Sequence, residues 1–132
     1  MIQKLKKFNH LTNDIIFIDG VWGSGKSLLG PIVSGMAQVE KSKIEHIYEY
    51  ICTLSFLKKI TPDATSCMLE IYSDLSQYNN LISREVNLRW SDDSGLANNP
   101  NFLRYIARLF KQDGDYVLDQ INSKNIALSI MS

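Results

Sequence analysis

The residues with the clearest chemical meaning are Gly20-Val21-Trp22-Gly23-Ser24-Gly25-Lys26-Ser27. They fit the phosphate-binding pattern G-x-x-x-x-G-K-[ST] at every defined position. The glycines let the backbone curl so that successive N–H groups converge on phosphate oxygens. A helix opening near Lys26 would turn its positive dipole end toward the same anion. Lys26 would then reach the outer phosphate, and the Ser27 hydroxyl is the usual magnesium ligand of such a loop. From average residue usage, a chance match in a chain of this length is on the order of one in a few hundred. Trp22 inside the loop has two readings: it stacks on a base or ring, or it packs against the adjoining helix.

Group transfer needs further residues. A magnesium-dependent reaction wants a second acid at the end of an apolar strand. Tyr116-Val117-Leu118-Asp119 offers Asp119, although Asp113 to Ser123 reads equally well as a helix. Extra cations would hold developing charge. Arg84 and Arg89 fall in an irregular segment, where functional residues are often placed, and are the candidate phosphate-binding arginines. Arg104 and Arg108 share a helix face, and pairing with a local acid explains them more simply. Glu45 and His46 are the candidate acid–base groups. The plainer reading makes Glu45 and Glu49 a solvated helix face shared with Lys41. Asp92 and Asp93, beside Ser91 and Ser94, read either as a turn or as a site for a cation or substrate hydroxyls. His10 has no supporting partners.

These groups need elements to hold them. Ile15-Ile16-Phe17-Ile18 is a short β-branched and aromatic run, the pattern of a strand buried on both faces of a parallel sheet. From Lys26, apolar residues recur at helical spacing through Leu28, Leu29, Ile32, Val33, Met36 and Ala37, with Pro31 as the blemish. Ile44, Ile47, Tyr48, Ile51, Leu54 and Leu57 mark a second helix ending near Ile60. Thr61-Pro62-Asp63 starts a third, with Thr61 as N-cap and Pro62 at the first helical position. Ala64 to Tyr78 continue it, and Asn79-Asn80 close it. Residues 81–100 are irregular, with a possible short strand and turn chemistry from Ser91 to Pro100. Asn99-Pro100 opens a helix through Phe110, and Asp113-Gly114-Asp115 breaks it. A final segment runs through Tyr116, Val117, Leu118 and Ile121 to Met131, apolar from Ile126 onward. Residues 1–13 read as a surface lead-in.

The sequence of 132 residues suits one domain, with 45% hydrophobic and 21% charged residues. A net charge of +0 argues against a nucleic-acid binder, which would be clearly basic. No apolar run approaches the roughly 20 residues of a membrane helix or the 7–15 of a signal peptide, so a cytoplasmic protein without a membrane partner is expected. Cys52 and Cys67 lack metal-type spacing and read as small buried hydrophobes in a reducing compartment.

The strand, the loop and Lys26-Ser27 resemble the P-loop nucleoside triphosphatase superfamily, which includes kinases and sulfotransferases. The continuation Gly25-Lys26-Ser27-Leu28-Leu29 also resembles the start of bacterial sulfotransferase-like proteins. The specific match covers about fifteen residues, Ile15 to Leu29. In either family, Gly23, Ser24, Gly25, Lys26 and Ser27 would hold phosphates. The sulfotransferase resemblance implies 3′-phosphoadenosine 5′-phosphosulfate as donor, although Lys26 stands where threonine is common there. The kinase resemblance implies ATP with magnesium. The later arginine and serine that grip the 3′-phosphate, and the arginine-rich lid of nucleotide kinases, are both without a match.

The expected fold is therefore α/β, a P-loop type parallel sheet with flanking helices, helix-rich. It spans 1–132 as a single nucleotide-binding domain. One clear strand and an apolar end suggest the N-terminal portion of a larger domain. The first functional expectation is a sulfotransferase-like transferase acting on a small-molecule or glycan acceptor, with Glu45 or His46 as acceptor base. The alternatives are an ATP-dependent kinase and a non-catalytic phosphate-binding fragment.

Overall fold

The computed structural model describes residues 3–111, 114–123 and 125–131, with the side chains of 41–43, 121 and 122 outside that description. Asp113 and the side chains of Lys41 and Ile121, which entered the sequence reading, lie outside the described residues. In chain order the elements are β1 (Asp14–Ile18), α1 (Lys26–Ser34), β2 (Val39–Ile44), α2 (Ile47–Phe56) and α3 (Pro62–Leu81). A short 3-10 turn at Leu96–Asn98 precedes α4 (Phe102–Arg108), α5 (Asp115–Ser123) and β3 (Ala127–Met131).

The three strands form one all-parallel sheet in the order β1-β3-β2. The last strand in sequence is thus the middle strand in space. It must be buried on both faces, and Leu128 and Ile130 are fully so, at 0% exposure each. Successive strand residues point to opposite faces. Leu128 and Ile130 pack with Tyr48 of α2, joined by Leu69 and Tyr72 of α3. Met131 instead lies against Gly30 of α1, where an added Cβ would come within 3.3 Å of its sulfur. Hence α1 covers one face, and α2 with α3 covers the other. Tyr48 is the hinge of the second layer, edge-on to Phe17 at 5.4 Å and to Tyr72 at 5.6 Å between ring centres.

The α/β class with a parallel sheet and helix-rich flanks is as expected, but two expected helices are corrected, and so is the burial of Ile15 to Ile18 on both faces: β1 lies at the sheet edge, with Ile15 and Phe17 exposed. Val39 to Ile44 is a strand, so the helix expected from Ile44 begins only at Ile47. Glu45 therefore lies between strand and helix, and the shared helical face of Lys41, Glu45 and Glu49 does not exist. The physical reason is β3: its free backbone edge accepts β2, from Val39 opposite Ala127 to Ile44 opposite Met131, with a shift of register between Lys41 and Ile44. The helix after the glycine loop stops at Ser34, capped by the Gly35 N–H on the Pro31 carbonyl at 3.0 Å. Thr61 behaves as read, its hydroxyl accepting from the Ala64 N–H at 3.4 Å with Pro62 in the first turn. Beyond Leu81, residues 82–100 hold turns and the 3-10 segment Leu96–Asn98, with no strand among the described residues. The cysteines are not buried: Cys52 is exposed and Cys67 half-buried, both as free thiols.

Two polar clusters fasten the periphery. Glu40 of β2 is 2% exposed and holds the Arg108 guanidinium through two hydrogen bonds of 2.8 Å. The Tyr105 hydroxyl donates to the same carboxylate at 2.9 Å. This bidentate, hydrogen-bonded arrangement is what a buried carboxylate requires. It docks α4 against the sheet and explains the spacing of Arg104 and Arg108, whose acid comes from a distant strand. At the other cluster, the Leu11 and Thr12 N–H groups donate to Asp74 of α3 at 3.0 and 2.8 Å. The Lys7 ammonium pairs with the same carboxylate. Burial alone would raise the Asp74 carboxyl, but these donors together hold it below its ordinary value.

Candidate functional site

The carboxyl ends of parallel strands are where an α/β sheet offers a crevice. β1 ends at Ile18, and the glycine loop follows at once, from Gly20 to Gly25. Asp19 ties the loop's start by accepting from the Gly20 N–H at 2.6 Å. The Ser24 N–H donates to the Val21 carbonyl at 3.1 Å, closing the curl. Gly23 and Gly25 have φ of 81° and 86°, a left-handed conformation that side-chain-bearing residues adopt only at a cost.

Gly25 is the N-cap of α1 and brings no side-chain cap. The first N–H groups of a helix lack intrahelical acceptors, and an anion at this end satisfies them. Lys26 and Ser27 are the first two residues of α1, so their side chains leave the helix at its positive pole.

A cavity of about 420 Å³ opens here, lined by Trp22, Gly23, Gly25, Lys26, Ser27, Ile44, His46, Asp93 and Met131. Ile44 and Met131 are the last residues of β2 and β3, so the cavity sits over the carboxyl ends of those strands beside the loop that follows β1. Trp22 is 99% exposed at its rim. The packing alternative for Trp22 is therefore absent, and the indole is presented to whatever enters.

The structure brings together Trp22, Gly23, Gly25, Lys26, Ser27 and His46 from the expected set, and separates others. Glu45 is 5% exposed, and its carboxylate accepts from the Tyr72 hydroxyl at 3.0 Å. It does not line the cavity. Burial and the hydrogen bond to Glu45 push the Tyr72 hydroxyl up to about 12, so it stays a donor across the whole physiological range. Together with the Glu45 N–H on the Met131 carbonyl at 3.2 Å, this bond fixes the turn that delivers His46. His46 itself is half-exposed, with its Nδ1 3.8 Å from Glu49.

Arg84 donates to the Asn79 side chain at 3.3 Å and lies over the Tyr78 ring. Arg89 pairs with Asp92 at 3.5 Å and is 78% exposed. Neither arginine lines the cavity. Asp119 lies within α5 rather than at the end of a strand, which removes the basis of its metal reading: β3, which begins at Ala127, takes the position in the sheet.

The acid that does line the cavity is Asp93. Its segment is held by a dense set of local bonds. Asn87 donates to Asp92 at 3.1 Å and to Ser94 at 3.0 Å, and the Asn98 side chain donates to the Asp92 and Asp93 carbonyls at 2.9 and 3.3 Å. Gly95 closes the turn where an added Cβ would meet the Arg89 carbonyl at 2.3 Å. Asp92 is thus consumed inside the turn, whereas Asp93 faces the cavity rim. The Asp-Asp pair reads in sequence as a turn or a site; it forms a turn, and its Asp93 lines the cavity. Its approach to the loop depends on a long-range path that local pattern does not encode.

No known family, curated protein or solved structure matches the chain. Among the described residues, no helix is long and apolar enough to cross a membrane.

Proposed function

We propose that the glycine loop is a P-loop that binds a magnesium nucleoside triphosphate, and that the protein transfers the terminal phosphoryl group. The observation that supports this reading is the presence of Asp93 in one cavity with Lys26 and Ser27. A hydroxyl and a carboxylate are hard oxygen donors suited to magnesium, which is commonly held by one or two protein groups plus substrate phosphates. Among the described residues no cluster of three or more metal-ligating side chains occurs, so a cage of protein ligands is not offered as the alternative. Ser27 and Asp93 would hold the ion, which when bound neutralises charge on the phosphate oxygens.

The remaining steps fall to the chain itself. Loop N–H groups and Lys26 orient the terminal phosphate and stabilise the charge that develops on the bridging oxygen. His46 takes the proton from an acceptor hydroxyl, of a small molecule or glycan, as that oxygen bonds to phosphorus. The bond from phosphorus to the bridging oxygen breaks, and the nucleoside diphosphate leaves. Sulfuryl transfer from 3′-phosphoadenosine 5′-phosphosulfate needs little magnesium, and a bare carboxylate at Asp93 would repel that donor. Asp93 therefore favours the phosphoryl reading.

Calorimetric titration tests the choice. ATP should bind only with magnesium, and Lys26→Ala should abolish the heat. Tighter binding of adenosine 3′,5′-bisphosphate, indifferent to magnesium, would reverse the assignment to sulfuryl transfer. A folded protein that binds neither would remove both.

A further inference from the structure

A second cavity, of about 390 Å³, lies at the opposite pole of the sheet. Gln38 precedes β2 and Ile126 precedes β3, and both line it, so it opens at the amino ends of these strands. Its other walls come from Arg104, Ala107 and Arg108 of α4, Lys111 beyond it, and Tyr116 and Gln120 of α5.

Three cations, Arg104, Arg108 and Lys111, meet a single carboxylate, Glu40, among the described lining residues. Their excess is two positive charges. Arg108 takes both Glu40 oxygens in hydrogen bonds, whereas Arg104 forms only a looser ion pair with the same carboxylate, its Nη2 at 3.8 Å and beyond hydrogen-bond reach. The Nε and Nη2 of Arg104 are shielded from solvent and make no hydrogen bond among the described residues. These two nitrogens form one edge of the guanidinium fork, the edge that grips a carboxylate or phosphate with two parallel bonds. Donors left this way are costly to the protein alone, and a turn of the 38%-exposed side chain would bring that edge onto an anion in the pocket. Lys111 is steadied 4.0 Å above the Tyr116 ring, whose hydroxyl accepts from Gln120 at 2.6 Å.

We propose that this pocket is a second ligand site, for a small dianion carrying a phosphate ester or two carboxylates, gripped by Arg104 and Lys111. Its volume falls in the range of small-molecule sites. Glu40 and Arg108 form its floor and are not spent on the ligand. The site is separate from the glycine loop and does not depend on what that loop binds.

The test is an NMR titration of the full chain carrying Lys26→Ala, which silences the phosphate loop. Inorganic phosphate and succinate serve as separate probes and distinguish the two anion sources. Shifts should map to Lys111, Tyr116 and Gln120, and saturate for at least one probe. Arg104→Met with Lys111→Met should weaken that binding about tenfold or more, the loss of at least one charge-assisted contact. A circular-dichroism melt confirms that this variant folds, and Arg104→Lys alone should retain part of the affinity. Saturable binding that is unchanged in the double variant, or shifts that stay linear to high millimolar concentration for both probes, would overturn the proposal.

Discussion

Asp93 and Ser27 line the same cavity although half of the chain separates them in sequence. The pair joins a turn pinned by Asn87 and Asn98 to the opening residue pair of α1. On the proposed reading this juxtaposition completes a magnesium site that neither segment contains by itself. On the same reading it favours a magnesium nucleoside triphosphate over a donor that the loop alone accommodates equally.

Loop geometry makes the first prediction. Gly25→Ala places a side chain at φ 86°, into open space but in a strained backbone conformation. The cost should be about 1–2 kcal/mol of stability, since the left-handed region is unfavourable for residues with a Cβ. Because relaxation of that strain reorients the loop N–H groups, nucleotide affinity should fall by more than stability does. Thermal melts and ATP titration on the same sample measure the two effects.

His46 is assigned to proton transfer rather than to binding. His46→Gln should leave magnesium ATP affinity within about twofold, while turnover with a productive acceptor falls about a hundredfold or more. Glu45→Gln should act differently. It weakens the bond from Tyr72 that fixes the same turn, and so lowers stability as well as turnover. A loss of ATP binding in His46→Gln equal to its loss of turnover would contradict the division of roles.

Glu40 and Arg108 carry a prediction about the fold. Arg108→Met leaves a carboxylate at 2% exposure with Tyr105 as its remaining close donor. Breaking a buried pair from one side costs about 3–5 kcal/mol, a large part of the stability of a small domain. The double variant Glu40→Leu with Arg108→Met should recover much of that loss, since the stranded charge is gone. Urea unfolding of the single and double variants gives both numbers. Equal destabilisation in the two would mean that the pair stabilises the fold in a way simple desolvation does not capture.

Acid should loosen the N-terminal segment. The Asp74 carboxyl is held below its ordinary value of 3.8 by Lys7 and by the Leu11 and Thr12 N–H groups. A carboxylate depressed in the folded state contributes stability above its unfolded value, and that contribution fades as pH falls through the folded value. The lead-in should therefore stay docked at neutral pH and detach only below about pH 4. Asp74→Asn should bring the looser state to neutral pH, visible as faster hydrogen exchange at Leu11 and Thr12.

The parts of the fold that were legible are those written locally. Ile15 to Ile18, the glycine loop, and the Thr61-Pro62 start of α3 each carry their signal within a few residues. β2 was hidden because Val39-Glu40-Lys41-Ser42-Lys43-Ile44 lacks any apolar alternation. Its Glu40 is buried only because Arg108 and Tyr105 arrive from a helix far along the chain. β3 was an apolar run without an assigned element, since a short buried run reads alike as helix or strand. The site divides the same way. Lys26, Ser27 and Trp22 follow from the motif, His46 from residue chemistry, and Asp93 only from the folding of its turn onto the loop.

The most direct measurement of the central claim is ATP affinity as a function of magnesium in wild-type protein and in Asp93→Asn. The account predicts that magnesium tightens ATP binding strongly in the wild type. In Asp93→Asn this enhancement should shrink about tenfold or more, while the weak magnesium-free binding stays equal or improves as a negative charge leaves the cavity. Magnesium enhancement of equal size in both proteins would contradict the assignment of Asp93 to the ion, and with it the phosphoryl-transfer reading of the site.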